Sequence, residues 1–240
     1  MKTAKIGAIF LISIMALAGI GAGYAAWTDT IYIKGTVNTG TVDLNVVAYS
    51  GTWVYKVYPH DIFTWHGWAN PKTGEPMDDI DLLISEQFNG AEKYELIAYA
   101  TAYKAGNDKV QVVWYNLFPC IDFWVDIVFH YDGSIPARIA TTTDYKIIKG
   151  QEWIGQLEAD GGLNAWCYRT EDPTPYIKPD LMPKYEEVWI GYQLHQCNYF
   201  KLDIWAHLPQ DPYYMGKSGK AVAQIEVVQW NEYDYYPQGD

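Results

Sequence analysis

Cys120-Ile-Asp-Phe-Trp-Val-Asp-Ile-Val-Phe-His130 alternates with a period of two. Phe123, Val125, Ile127 and Phe129 fall on one parity, and Asp126 and His130 on the other. That period puts successive side chains on opposite faces, so the stretch predicts a β-strand with an apolar inner face and a polar outer one. The pattern returns 77 residues later in Cys197-Asn-Tyr-Phe-Lys-Leu-Asp-Ile-Trp-Ala-His207, with Cys, Phe, Asp, Ile and His in matching places. Here Phe200, Leu202, Ile204 and Ala206 form the apolar parity, and Asp203 and His207 share the polar one. Turn-like lead-ins, Leu117-Phe118-Pro119 and Leu194-His195-Gln196, precede the two copies. The echo therefore predicts two equivalent strands that enter one fold at the same end.

Outward from this pair the chain reads as short strands between turn signals. Thr30 to Val47 gives two strands punctuated by Gly35 and Gly40, and Thr52 to Tyr58 gives a third. Thr64 to Asp81, with Pro71, Gly74 and Pro76, predicts a loop. Tyr94 to Tyr103 and Lys109 to Leu117 predict a hairpin across residues 105–108, and Leu82 to Phe88 a short helix. Ala137 to Ile148 predicts a strand, and Gly150 to Glu187, with Gly161-Gly162 and four prolines, an irregular insertion. Strands resume at Val188 to Leu194, Tyr199 to His207 and Ala221 to Trp230. The elements predict an all-β, jelly-roll-like β-sandwich with long loop insertions, a single domain over residues 26–240.

Composition sets bounds on function. Hydrophobic residues make up 49% of the 240 and aromatics 16%, with 21 Tyr and 11 Trp, which suits a packed β core and sticky surfaces. Net charge is −12, and a leader that removes Lys2 and Lys5 would lower it by two more. With no run of Lys and Arg to neutralise phosphates, nucleic acid is not an expected partner.

Candidate chemistry is sparse. Asp126, His130, Asp203 and His207 offer zinc-type ligands on two strand faces, although two exposed, ordinarily polar strand faces are the favoured reading. Asp78, Asp79 and Asp81 form the densest carboxylate cluster, and calcium is the ion they suit; no other cofactor is expected. No His-Glu-x-x-His helix, Gly-x-Ser-x-Gly elbow, phosphate loop or dinucleotide fingerprint occurs, so no catalytic residue is assigned and the chain does not read as an enzyme. The Trp and Tyr content leaves a carbohydrate-binding module open. If the two echo strands enter together, Cys120 and Cys197 pair as a disulfide and Cys167 stays free; three reduced cysteines are the alternative.

The first 25 residues have the order of a signal peptide. Lys2 and Lys5 precede an uncharged apolar run from Ile6 that ends in small residues around Gly23 and Ala25. Cleavage between Ala25 and Ala26 would release a secreted, cell-surface protein. Signal peptidase would then be a transient partner, and membrane would be touched only through an uncleaved leader, the other reading of the same stretch.

Gly21-Ala-Gly-Tyr-Ala-Ala-Trp-Thr-Asp-Thr30 resembles the start of TasA/camelysin-type proteins with a SipW-type signal peptide. Gly40-Thr-Val-Asp-Leu44, Asn116-Leu-Phe-Pro-Cys120, Asp132-Gly-Ser-Ile-Pro-Ala-Arg-Ile139 and the closing Ala223 to Trp230 resemble further family segments, in the family's order. Cys120, Cys197 and the aromatic-rich insertions depart from it and are more like archaeal members. The resemblance implies a jelly-roll-like sandwich that builds extracellular fibres or matrix. Some archaeal relatives polymerise by donating an N-terminal strand. Here the donor would be residues 26–38, carrying Trp27, Ile31, Ile33 and Val37, with a second copy of the chain as partner; the alternative is that this segment is the first strand of its own domain. Camelysins are described as surface metallopeptidases, an activity for which this chain has no motif.

The leader reading is checked by N-terminal sequencing of the extracellular form. It should begin Ala-Trp-Thr-Asp, and an intact Met1 on that form would refute cleavage after Ala25.

Overall fold

The computed structural model describes residues 40–91, 93–104, 110–140, 144–170, 188 and 191–231. The predicted leader with its Ala25–Ala26 junction, and the predicted donor segment with Trp27, Ile31, Ile33 and Val37, lie outside the described residues.

The chain is all-β. Its strands are β1 (Leu44–Tyr58), β2 (Ile62–Trp68), β3 (Lys93–Lys104), β4 (Val110–Leu117), β5 (Asp122–Tyr131), β6 (Ala137–Ile139), β7 (Asp144–Lys149), β8 (Leu163–Thr170), β9 (Gln193–Leu194), β10 (Asn198–His207), β11 (Lys217–Gln224) and β12 (Val227–Gln229). Among the described residues two helices, α1 (Ile80–Gln87) and α2 (Gln151–Ala159), and one 3-10 turn at Pro212–Tyr214 interrupt them. Antiparallel pairing gives a curled sheet in the order β7-β11-β4-β3-β1-β5-β10-β8, with β2 beside β1, and a small sheet β12-β6-β9.

β1 is the hinge of this arrangement. Leu44–Tyr49 pairs with β5, whereas Ser50–Lys56 pairs with β2 and Gly51–Tyr58 with β3. Register shifts fall between Val46 and Ala48 and between Val54 and Tyr55. Such bulges bend and twist a strand, so one strand can serve two layers. The inward parities of both layers then meet in one core. It joins Phe123, Val125 and Ile127 of β5 and Phe200, Leu202 and Ile204 of β10 to Ala98 and Ala100 of β3 and Val112 and Trp114 of β4. Phe129 and Phe200 stack across β5 and β10 at 5.0 Å.

The structure bears out the all-β sandwich, the β3–β4 pairing and the β5 and β10 strands, but revises several elements. The loop expected from Thr64 is strand β2 as far as Trp68. The expected strand over 137–148 is two strands in different sheets, β6 and β7. The expected insertion holds α2 and the edge strand β8; Trp153, Ile154 and Leu157, three and four residues apart, bury one face of α2.

The echo strands do not enter together. β5 and β10 are antiparallel neighbours, with Asp126 directly opposite Asp203. A local two-fold axis through that aspartate pair exchanges the strands. Cys120 N–H donates to the Leu208 carbonyl and Cys197 N–H to the Tyr131 carbonyl, at 3.1 and 2.9 Å. Both cysteines adopt left-handed backbone, with φ of 61° and 65°.

Substituting Phe200→Ala should test the core. Losing the ring and leaving a cavity should cost about 3–5 kcal/mol, read as a lower denaturant midpoint at unchanged slope. A loss below about 1 kcal/mol would mean that Phe200 does not bind the layers together.

Candidate functional site

The two-fold arrangement overturns the predicted disulfide. Cys120 and Cys197 sit at opposite ends of a ten-residue strand pair, about 30 Å apart at ~3.3 Å per residue. A disulfide needs Cα atoms within about 7 Å. Cys120 and Cys197 form no disulfide and are exposed, and Cys167 is buried on the core face of β8, not in an irregular loop.

The predicted zinc quartet is dispersed for the same reason. Asp126 and Asp203 pair at the axis, while His130 lies opposite Tyr199 and His207 opposite Asp122. Each histidine is thus four residues, about 13 Å, from the aspartates, in opposite directions. His130 Nδ1 is 3.0 Å from Asp132 Oδ1 and its ring stacks on Tyr199; His207 Nδ1 is 2.8 Å from Asp122 Oδ1. The calcium candidates diverge as well. Asp78 accepts from Trp65 Nε1, Asp79 caps α1 by accepting from the Leu82 N–H, and Asp81 accepts from the Tyr94 hydroxyl. Among the described residues no group of three or more His, Cys, Asp or Glu is placed to hold a metal ion.

A different constellation forms around the aspartate pair. The outward parity of β5, β10 and β8 carries Asp126, Asp203, Lys201 and Tyr168, since Lys201 pairs with Tyr168 and lies diagonally from Asp126. These are not surface residues: Lys201 is 1% exposed, Asp126 4% and Asp203 5%. β2 reaches Asp126 from the β1 side. His66 Nε2 stands 3.3 Å from Asp126 Oδ2, and its Nδ1 is 3.0 Å from Thr52 Oγ1. Where β1 leaves β5, side chains replace the ladder. The Asp126 N–H donates to Ser50 Oγ and the Trp124 N–H to Thr52 Oγ1.

The two carboxyls titrate apart. Burial works to raise Asp126, but hydrogen bonding and charge from His66, the Lys201 ammonium and the Ser50 hydrogen bond hold it below the ordinary carboxylate value. Burial pushes Asp203 well up, and the Asp126 charge adds to this, against the Tyr168 hydrogen bond and Lys201. Tyr168 donates to Asp203 Oδ2 at 2.5 Å, and Asp203 Oδ1 accepts no hydrogen bond among the described residues. A proton on Asp203 shared toward Asp126 fits both facts.

Two further features flank this cluster. One strand step along the same face, Trp124, Trp166 and Trp205 form a triangle with ring centroids 6.0–6.3 Å apart and planes tilted by 27–37°. Trp166 is 40% exposed, and Trp205 Nε1 donates to Asp122. At the other edge of the layer, β5 is the only described strand paired along Leu44–Ala48. Beside it opens a cleft of about 270 Å³, lined by Leu44, Val46 and Phe129 together with the polar Asp43, Asn45 and Lys104. Sequence reasoning missed His66, Lys201 and Tyr168, whose roles depend on which strands become neighbours. For Lys201, the parity it shares with Asp203 was the only signal available.

No family model, no curated protein and no solved structure matches this chain.

The protonated Asp203 has a measurable signature. Its affinity for a proton is raised by folding, so above the ordinary value of 3.8 the native state holds a proton that the unfolded chain has released. The stability contributed by this group is therefore present at low pH and falls as pH rises toward the raised value. Asp203→Asn keeps the neutral shape and removes that slope. From about pH 4 to 7, denaturant unfolding should show the variant gaining on the parent by up to about 1.4 kcal/mol per pH unit. A gap independent of pH would mean that Asp203 is ionised.

Proposed function

We propose that the chain is an exported structural protein of the cell surface, a TasA/camelysin-like subunit that self-assembles into extracellular filaments or matrix by β-strand donation. The observation that carries this reading is the half-open strand β1. On the side where no described strand pairs with it, its first half borders a cleft that mixes Leu44, Val46 and Phe129 with Asp43, Asn45 and Lys104, and Val47 at the bulge is 47% exposed. An unpaired edge exposes N–H and C=O groups that another strand can satisfy, and alternate side chains of that strand can fill the cleft.

The occupant is residues 26–38 of a second copy. The segment has the β-branched alternation of a strand, with Ile31, Ile33 and Val37 as anchors and Trp27 at its start. Gly40 to Asp43 lie on the same layer: Thr41 N–H donates to Ser134 Oγ, the Asp132 N–H donates to the Asp43 carbonyl, and Gly40 packs so closely on Ile135 that a side chain there would overlap it.

A second reading has its own observation. The Trp124–Trp166–Trp205 triangle offers flat apolar area beside the polar Asp122 and His207, a pattern suited to the face of a pyranose ring. Under that reading the protein is a surface carbohydrate-binding module, and neutral oligosaccharides should shift its Trp fluorescence with Trp166→Ala removing the response.

Two variants test assembly. Deleting residues 26–38 should leave a folded monomer that forms no fibres in negative stain and binds a synthetic peptide of the deleted segment. Val46→Lys, which places charge in the cleft, should keep the fold and lose both fibres and peptide binding. Fibres formed by either variant would overturn strand donation.

A further inference from the structure

Neither self-assembly nor glycan binding uses the buried lysine of β10. Lys201 is among the largest fully buried side chains, on the outward parity of a strand whose opposite parity is already core. Burying an ammonium is costly, and chains retain one mainly where it is paired or where its amine reacts. Its neighbours are one carboxyl on the same strand, Asp203, and one on the adjacent strand, Asp126.

We propose that the Lys201 Nζ condenses with the Asp126 carboxyl, forming an internal amide that cross-links β10 to β5. Register supplies proximity. Lys201 stands opposite Val128, so Asp126 is its diagonal neighbour on the same face, a separation that a long side chain spans. Strand packing holds the two groups together permanently, which replaces a bimolecular encounter with a positioned one.

The surrounding residues divide the remaining work. The Lys201 ammonium passes one proton to the Asp126 carboxylate, giving a free amine and a neutral acid. The Nζ lone pair then attacks Asp126 Cγ, forming the N–C bond. Asp203, anchored by Tyr168, donates its proton toward the developing Asp126 oxyanion and relays the proton lost by nitrogen. Asp203 then passes the nitrogen's proton to one Asp126 hydroxyl, whose C–O bond breaks so that it leaves as water, while the other oxygen re-forms the carbonyl and returns its proton to Asp203; His66 Nε2, next to Asp126 Oδ2, is placed to hydrogen-bond the water as it goes. Amine and acid give amide and water, and no oxidant, metal or cofactor enters the balance. Asp126 is the acceptor because Asp203 is held by Tyr168 as the acid and lies on the lysine's own strand.

Mass spectrometry of the full chain as it is isolated decides the matter. After its N-terminus is defined, the intact protein should be lighter than its sequence by the mass of one water. Trypsin should fail to cut after Lys201 and yield one branched peptide joining Lys201 to Asp126. Lys201→Arg and Asp126→Ala should each restore the full sequence mass. Asp126→Asn should lose one ammonia instead of one water. Asp203→Ala should leave most of the chain uncross-linked while Lys201 and Asp126 are intact. An intact mass equal to the sequence would overturn the proposal, whether or not any variant folds. So would a water loss that maps elsewhere, for instance to a cyclic imide at Asp132-Gly133.

Discussion

Everything in this fold hangs on β1 being a member of two layers at once. A strand of 15 residues is far longer than the usual five or six, and no single neighbour follows it throughout. Its first half takes β5 and its second half β2 and β3, with bulges at the changes of direction. Because the strand is continuous, the two layers cannot slide past each other without breaking register on both. The exchange of partners also creates the two places of chemical interest. Where β1 leaves β5, Ser50 and Thr52 hydroxyls complete the backbone bonding and open a pocket that His66 fills. Where β1 has not yet met β3, its other edge has no partner among the described residues.

The pocket under His66 is an unusual use of a sheet's outer face. Polar groups placed there normally reach water; here Asp126, Asp203 and Lys201 are covered. Charges buried together strengthen one another's hydrogen bonds and penalise any arrangement that leaves one unmatched. The like-charged aspartates face each other at the axis of a repeated strand pattern, so the repulsion that would separate them is relieved only by protonating one. The asymmetry between Asp126 and Asp203 comes from their surroundings. His66 reaches one, Tyr168 the other, and the strands themselves are equivalent.

The sequence carried the faces of the strands but not their directions. Alternation around Phe123–Phe129 and Phe200–Ala206 identified which side chains are buried, because a period of two is a local property. Whether two such strands run the same way is decided by the connections between them, and the 77-residue repeat is equally compatible with a two-fold exchange. That one ambiguity produced both the disulfide and the metal quartet. α2 was legible in principle from Trp153, Ile154 and Leu157, but Gly150 before it and Gly161-Gly162 after it made the whole region look irregular. Strand β8 hides its apolar face behind Trp166 and Arg169, and only its pairing with β10 makes Cys167 and Leu163 inward. His66 is a lone histidine in a stretch that read as loop, and nothing local marks it.

The order of the strands across the sheet governs when the fold can exist. The late strands β10 and β11 occupy interior positions, β10 between β5 and β8 and β11 between β4 and β7. Both outer strands are therefore orphans until the last quarter of the chain has arrived. Contacts of such long sequence separation must be closed against chain entropy before they return any stability, which delays the outer strands relative to the centre β4-β3-β1-β5, whose strands all come from residues 44–131. A chain that emerged from its synthesis or from a membrane channel N-terminus first could pair that centre early but could not close its flanks until residue 224 was free. Its outer strands would dock last, so the timing of maturation is written into the sheet order.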